Sequence, residues 1–260
     1  MSKITNYTIN NQRAPSYYEA NGGGGGIVIF IHGFMGSPRQ FDGLVETARQ
    51  HGRSAAALLL PGHGGTVKYF STGTMELWQN HVNSEIERYS QNHKDIWLVG
   101  HSMGCLLALG AAAKYPDRIR GALLIASAMK LKRFYLKDIR VRLLPVFGSK
   151  SNPIRKAYSS VCGIDPTLDF LWRYRKPLSE LKKLMAATRE ILPKIKAPVT
   201  AISMSSDEII SLESLSILES GLSGTTLKQI VLTDSYHAYF PEHESSIITQ
   251  ELTGFICYHA

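Results

Sequence analysis

The chain has 260 residues, 44% hydrophobic and 19% charged, with a formal net charge of +8. That balance excludes a disordered chain, and the length suits one large α/β domain without a linker between two bodies. A polar stretch over residues 1–15, no run approaching ~20 apolar residues and three scattered cysteines argue against a secretory signal, a membrane span and a disulfide framework. A cytoplasmic protein with reduced thiols is therefore expected.

Residues 4–9 alternate apolar and polar side chains and residues 16–20 follow a polar turn, which predicts an opening β-hairpin at a sheet edge. The five glycines at 22–26 form a turn; no Lys-Ser/Thr pair follows and a strand comes next, so they do not cradle a phosphate. Residues 27–31 are a continuous apolar run suited to a strand buried on both faces of a parallel sheet. The run ends in His32-Gly33-Phe34-Met35-Gly36-Ser37-Pro38, after which Phe41, Leu44, Val45 and Ala48 recur at helical spacing. A strand over 54–60 closes with Pro61-Gly62-His63-Gly64-Gly65, and Thr74 caps a helix through Trp78, Val82 and Ile86. A strand over 96–99, an Ala/Leu-rich helix stopped at Tyr115-Pro116, and a strand over 119–126 follow.

This alternation predicts an α/β fold with a mostly parallel central sheet and helices on both faces. Ligands of such sheets bind beyond the carboxyl ends of the strands, where His32, His63 and Ser102 all fall. The alternation breaks over residues 130–176, which carry 12 Lys and Arg against 3 Asp and hold the whole positive excess. Their aromatic content argues against disorder, and Pro145, Pro153 and Pro166 interrupt any long helix. A small inserted cap is expected there, between core segments 1–129 and 177–260. Its charge suits an anionic substrate or a weak association with an anionic membrane surface; the plainer reading is a solvated lid. No nucleic acid is expected as partner, because no recognition motif accompanies the charge. Helix 177–192, strand 199–204, helix 211–222, strand 227–232 and helix 241–256 complete the chain.

The chemistry centres on Gly100-His101-Ser102-Met103-Gly104, where strand must become helix almost at once. Glycine on either side leaves no Cβ to crowd the turn, so Ser102 sits at a strained apex with its hydroxyl in the cleft. A serine hydroxyl needs a base, and the base needs an anion to orient it. Of nine histidines, His51, His81, His93 and His259 are assigned to solvated faces, and His101 is expected to point away from Ser102. His237 follows the last strand and Asp207 the strand before it. Glu208 and Asp234 compete for the acid role, but the first would project in the wrong direction and the second lies too near His237 along the chain. His243 reads as a surface residue of the closing helix. His32, His63 and His101 share no ligand spacing, so neither metal nor cofactor is expected.

The motifs His32 to Pro38, Leu60 to Gly64, Gly100 to Gly104 and Ser235-Tyr236-His237 together resemble the α/β-hydrolase superfamily, in particular carboxylesterases and monoacylglycerol-lipase-like serine hydrolases. The resemblance covers roughly residues 27–240 apart from the cap. It implies an α/β-hydrolase fold, the catalytic order Ser102, Asp207, His237, and an oxyanion hole formed by the backbone N–H groups of Phe34 and Met103. The implied reaction is cleavage of carboxylic esters, short- to medium-chain or monoacylglycerol-like, through an acyl-serine. Acyl transfer or thioester cleavage by the same triad, or a non-catalytic binding role on this fold, are the alternatives. Cys105 departs from the pattern, since many relatives carry a second glycine there; the thiol should tighten the packing behind the elbow.

Overall fold

Residues 14–20, 26–132, 152–165 and 170–258 are described by the structure, a computed structural model. In chain order their strands are β1 (Ser16–Tyr18), β2 (Ile27–Ile31), β3 (Ser54–Leu58), β4 (Gly65–Thr66), β5 (Ile96–His101), β6 (Ile119–Ile125), β7 (Ile164–Asp165), β8 (Val199–Met204) and β9 (Leu227–Leu232). Seven of them form one sheet in the order β1-β3-β2-β5-β6-β8-β9, parallel throughout except for β1. Every residue of β2, β3, β5 and β8 is buried, as strands covered on both faces require.

The helices are α1 (Asp42–Gln50), α2 (Val67–Phe70), α3 (Met75–Tyr89), α4 (Met103–Lys114), α5 (Pro153–Val161), α6 (Phe170–Arg173), α7 (Arg175–Ile191), α8 (Glu213–Gly221) and α9 (Glu242–Tyr258). α1 packs on α9, while α3 and α7 pack on α4. The Thr74 side chain accepts from Leu77 N at 3.2 Å and so caps α3, which buries Trp78, Val82, Ile86 and Tyr89 along one stripe. No helix among the described residues is long and apolar enough to cross a membrane.

Several boundaries differ from the sequence reading for local reasons. The strand predicted over 54–60 ends at Leu58, because the Leu60 N–H leaves the sheet and donates to His32 Nε2 at 3.0 Å. The helix predicted over 211–222 starts at Glu213, because the Ser211 N–H is held by the Lys130 carbonyl at 2.9 Å. Residues 16–18 are an edge strand antiparallel to β3, while residues 4–9 and the glycines at 22–25 lie outside the described residues. So do residues 133–151 and 166–169 of the predicted cap, and with them Pro145 and Pro166.

Within residues 130–176, residues 161–163 are tied to the loops after β2 and β3. Ser37 Oγ donates to Val161 O (2.9 Å), the Gly163 N–H to Met35 O (2.6 Å) and the Gly64 N–H to Gly163 O (2.6 Å). β7 pairs in parallel with β4. This small pairing escaped the sequence reading, because two-residue strands have no periodicity.

Candidate active site

The turn from β5 into α4 is built by exclusion of side chains. A Cβ on Gly104 would fall 1.9 Å from the Ile31 carbonyl oxygen, and one on Gly100 would fall 2.6 Å from Cys105 Cα and N. Only glycine allows the helix to start this close to β2. Ser102 takes the strain, at φ 54° and ψ −114°, with its N–H held by Ile125 O at 2.9 Å. Cys105 closes the elbow from behind, its buried thiol 3.2 Å from both Gly100 O and Ile125 O, and burial raises its pKa.

Asp207 lies in the loop after β8, and its carboxylate is fully engaged. Oδ1 accepts from the N–H groups of Ile209 and Ile210, both at 2.7 Å, and Oδ2 lies 2.8 Å from His237 Nδ1. Since a carboxylate only accepts, Nδ1 carries the proton and Nε2 is left as the basic atom of the ring. Burial opposes ionisation of Asp207. The His237 charge and hydrogen bond, with the two backbone N–H groups, outweigh it and hold the carboxyl below its usual range. Burial likewise opposes the imidazolium, yet the Asp207 charge and hydrogen bond and the Glu208 charge leave His237 with a raised pKa.

Ser102 and His237 line one cavity at the carboxyl ends of the strands, whose walls include Phe34, Met35, Leu131, Val161, Leu181 and Ile209. Phe34 stands in the loop after β2, and Met103 is the first residue of α4. Among the described residues no group accepts a hydrogen bond from either of their N–H groups.

The family model for "Serine aminopeptidase, S33" (Hydrolase_4) matches residues 25–244. The chain belongs to the Hydrolase_4 family. A thermostable monoacylglycerol lipase from Bacillus sp. (strain H-257) is 27% identical to it over 253 residues, 95% of this chain and 96% of that one. A solved chain from LipS and LipT, two metagenome-derived lipolytic enzymes, superposes with TM-score 0.78 at 20% identity, covering 97% of this chain and 100% of that one. The monoacylglycerol lipase of Paleococcus ferrophilus does so with TM-score 0.68 at 21% identity, covering 95% and 99%. The fold is thus that of the α/β hydrolases.

In this Hydrolase_4 chain the two histidines after β2 and β3 serve the loop that carries Phe34. His32 Nδ1 donates to Gly33 O (2.9 Å) while Nε2 accepts from the Leu60 N–H; His63 Nδ1 donates to Pro61 O (3.2 Å) while Nε2 accepts from the Met35 N–H (3.1 Å). Their rings meet edge-on at 4.7 Å, and burial lowers the pKa of both, that of His63 to about 4. Two neutral imidazoles with fixed tautomers therefore brace one loop against the other. Their motifs placed them on the rim, but this bracing depends on loop contacts that the sequence does not display.

Other expectations are corrected. His101 is not simply turned away: it donates through Nε2 to the His237 carbonyl at 2.8 Å, its ring lies 4.8 Å from the His237 ring at a tilt of 50°, and burial drives it to a pKa of about 3. Glu208 stays off the imidazole but does turn toward His237, accepting from its backbone N–H at 3.1 Å. His93 is buried in the turn after α3, 3.4 Å from a Glu19 carboxylate oxygen, and His81, within α3, is half-buried. His51 is exposed, Asp234 and His243 pair with each other on the surface at 3.1 Å, and His259 lies outside the described residues.

Proposed function

We propose that this hydrolase cleaves carboxylic esters through an acyl-Ser102 intermediate. The observation that carries the reading is the His237 imidazole, locked through Nδ1 on Asp207 and lining the same cavity as Ser102. Ser102 Oγ attacks the ester carbonyl as His237 Nε2 takes its proton, and Asp207 stabilises the resulting imidazolium. The Phe34 and Met103 N–H groups hold the oxyanion, each such donor worth about 3 kcal/mol. Collapse expels the alcohol, which takes the proton from His237; a water deprotonated by the same nitrogen then releases the acid.

The apolar walls suit an acyl chain. A second apolar groove, lined by Phe41, Leu44, Phe240 and Ile248, adjoins the cavity and shares Gln40, His101, Val161 and Ala238 with it. With the monoacylglycerol lipases among its relatives, this supports short- to medium-chain acyl esters or monoacylglycerol-like lipids as substrates, with residues 130–176 as the cap. A fluorophosphonate probe and a panel of p-nitrophenyl esters of increasing chain length test the reading together. The expected result is stoichiometric labelling at Ser102 and turnover that varies with chain length; an intact protein that neither labels nor cleaves any ester overturns it.

The charge on His237 sets a further expectation. The base must be neutral, and its pKa is raised, so kcat/KM should fall as the pH drops through a value above the ordinary imidazole figure of about 6.5. A pH profile with a soluble ester measures that limb. An acid limb well below 6 would contradict the Asp207–His237 arrangement.

The basic cap also bears on where the substrate is met. Trp172 is 75% exposed, the Arg175 guanidinium lies 5.5 Å from its ring centre, and Arg173 and Lys176 flank it. An exposed indole beside cations fits an anionic lipid surface, each cation near it adding ~1 kcal/mol. Trp172→Ala is expected to lower turnover of vesicle-borne ester on anionic, but not neutral, vesicles by roughly three- to tenfold at low salt. Equal rates on both vesicle types, before and after substitution, would leave the cap a solvated lid.

A further inference from the structure

We propose that Glu208 is a positioning residue that latches the cap helix α5 to the backbone of His237, so that one carboxylate holds both the roof of the cavity and the base beneath it. The proposal rests on His237 being the general base. Glu208 Oε2 accepts from the His237 N–H at 3.1 Å, and Oε1 accepts from the phenolic O–H of Tyr158, on α5 and 50 positions away in the chain. All three residues line the Ser102 cavity.

The rest of the His237 backbone is already fixed. Its carbonyl is held by His101, at the end of a strand buried on both faces, and its ring by Asp207, whose own carbonyl accepts from Lys132 Nζ. The N–H is the remaining backbone handle, and it is given to a side chain whose other oxygen belongs to the cap. α5 in turn buries no residue fully. Directed bonds that hold it and the turn after it include Tyr158 to Glu208, Ser37 to Val161, and Gly163 to Met35. Only the first of these reaches the catalytic histidine loop. A cap lifted from the cavity would therefore release Tyr158 from Glu208 and loosen the hold on His237.

The charged and titratable groups facing His237 are Asp207 and Glu208 from the loop after β8 and His101 from β5, with Tyr158 of α5 and Lys132 one contact further out. A carboxylate favours the imidazolium, so removing Glu208 should lower the pKa of the base and move the acid limb of kcat/KM to lower pH.

Three variants separate charge from latch. In Glu208→Gln the amide can still accept from the His237 N–H and donate to the Tyr158 oxygen, so the acid limb should move down by about 0.5 to 1 pH unit with kcat nearly kept. Glu208→Ala loses both contacts, and kcat on a soluble p-nitrophenyl ester should fall about tenfold with the same limb shift. Tyr158→Phe keeps the charge and cuts only the cap contact; it should lower kcat roughly threefold without moving the limb down. If Glu208→Ala fails to fold by circular dichroism, the Gln and Phe variants carry the test. Glu208→Ala/Tyr158→Phe should be no worse than Glu208→Ala, as for two members of one network. Effects that multiply, or an acid limb unmoved in Glu208→Gln, would overturn the latch. A wild-type profile without an acid limb, or no Ser102 labelling, would instead overturn the base assignment on which the latch depends.

Discussion

Ser102→Ala is expected to lower kcat by roughly 10⁴- to 10⁶-fold and to abolish fluorophosphonate labelling, with no loss of thermal stability. The hydroxyl is the only atom removed, and the residue is 94% buried at a turn whose hydrogen bonds are made by the backbone. Alanine keeps a Cβ and so inherits the strain of φ 54°. Ser102→Gly does not: it should be equally inactive but more stable by about 1 kcal/mol, because glycine adopts this conformation without steric cost. Single-turnover kinetics and a melting curve on the two variants separate nucleophile from scaffold. Residual ester hydrolysis within tenfold of wild type in either variant would mean that the cavity's chemistry is done by some other group.

The parts of this design that the amino-acid sequence displays are those with a period or a tight local constraint. β2 and β8 begin and end where the sequence places them, because a parallel strand covered on both faces needs an uninterrupted set of side chains that can lie against two layers. The elbow is visible because two glycines at fixed spacing have few other uses between a strand and a helix. Asp207 and His237 stand out by their place after strands, and their meeting follows from the parallel topology that puts all strand ends on one rim. Glu208 illustrates the opposite case. Its direction is set by the Asp207 turn, where two successive N–H groups bind one oxygen, and its partner Tyr158 sits on a helix with no pattern to tie it to that turn. His93 misleads for a similar reason: its chain neighbours are polar, but in the turn after α3 its N–H is held by Tyr89 O and its buried ring meets Glu19, a residue distant in the chain.

Gly104→Ala tests how closely the site depends on the packing beneath it. α4 starts against β2 with no room for a methyl group: the new Cβ would lie 1.9 Å from Ile31 O, 2.6 Å from Ile31 C and 2.8 Å from His32 O, all of them backbone. A flexible side chain could swing aside, but β2 is hydrogen-bonded to β3 on one side and β5 on the other and is wholly buried. The helix must therefore lift from the sheet by more than 1 Å, carrying the Met103 N–H with it. A destabilisation of about 3 to 5 kcal/mol is expected, seen as a fall in Tm of roughly 8 to 15 °C. Esterase activity should fall with it even below Tm, since the proposed oxyanion donor is displaced. Gly110, six residues along the same helix, supplies the control: nothing lies within 4 Å of its Cβ position. There alanine relieves only the conformational freedom of glycine, so Gly110→Ala should raise stability by about 0.5 to 1 kcal/mol and leave turnover unchanged. If the two substitutions behaved alike, the close approach of α4 to β2 would not be what fixes the elbow, and the placement of Ser102 would need another cause.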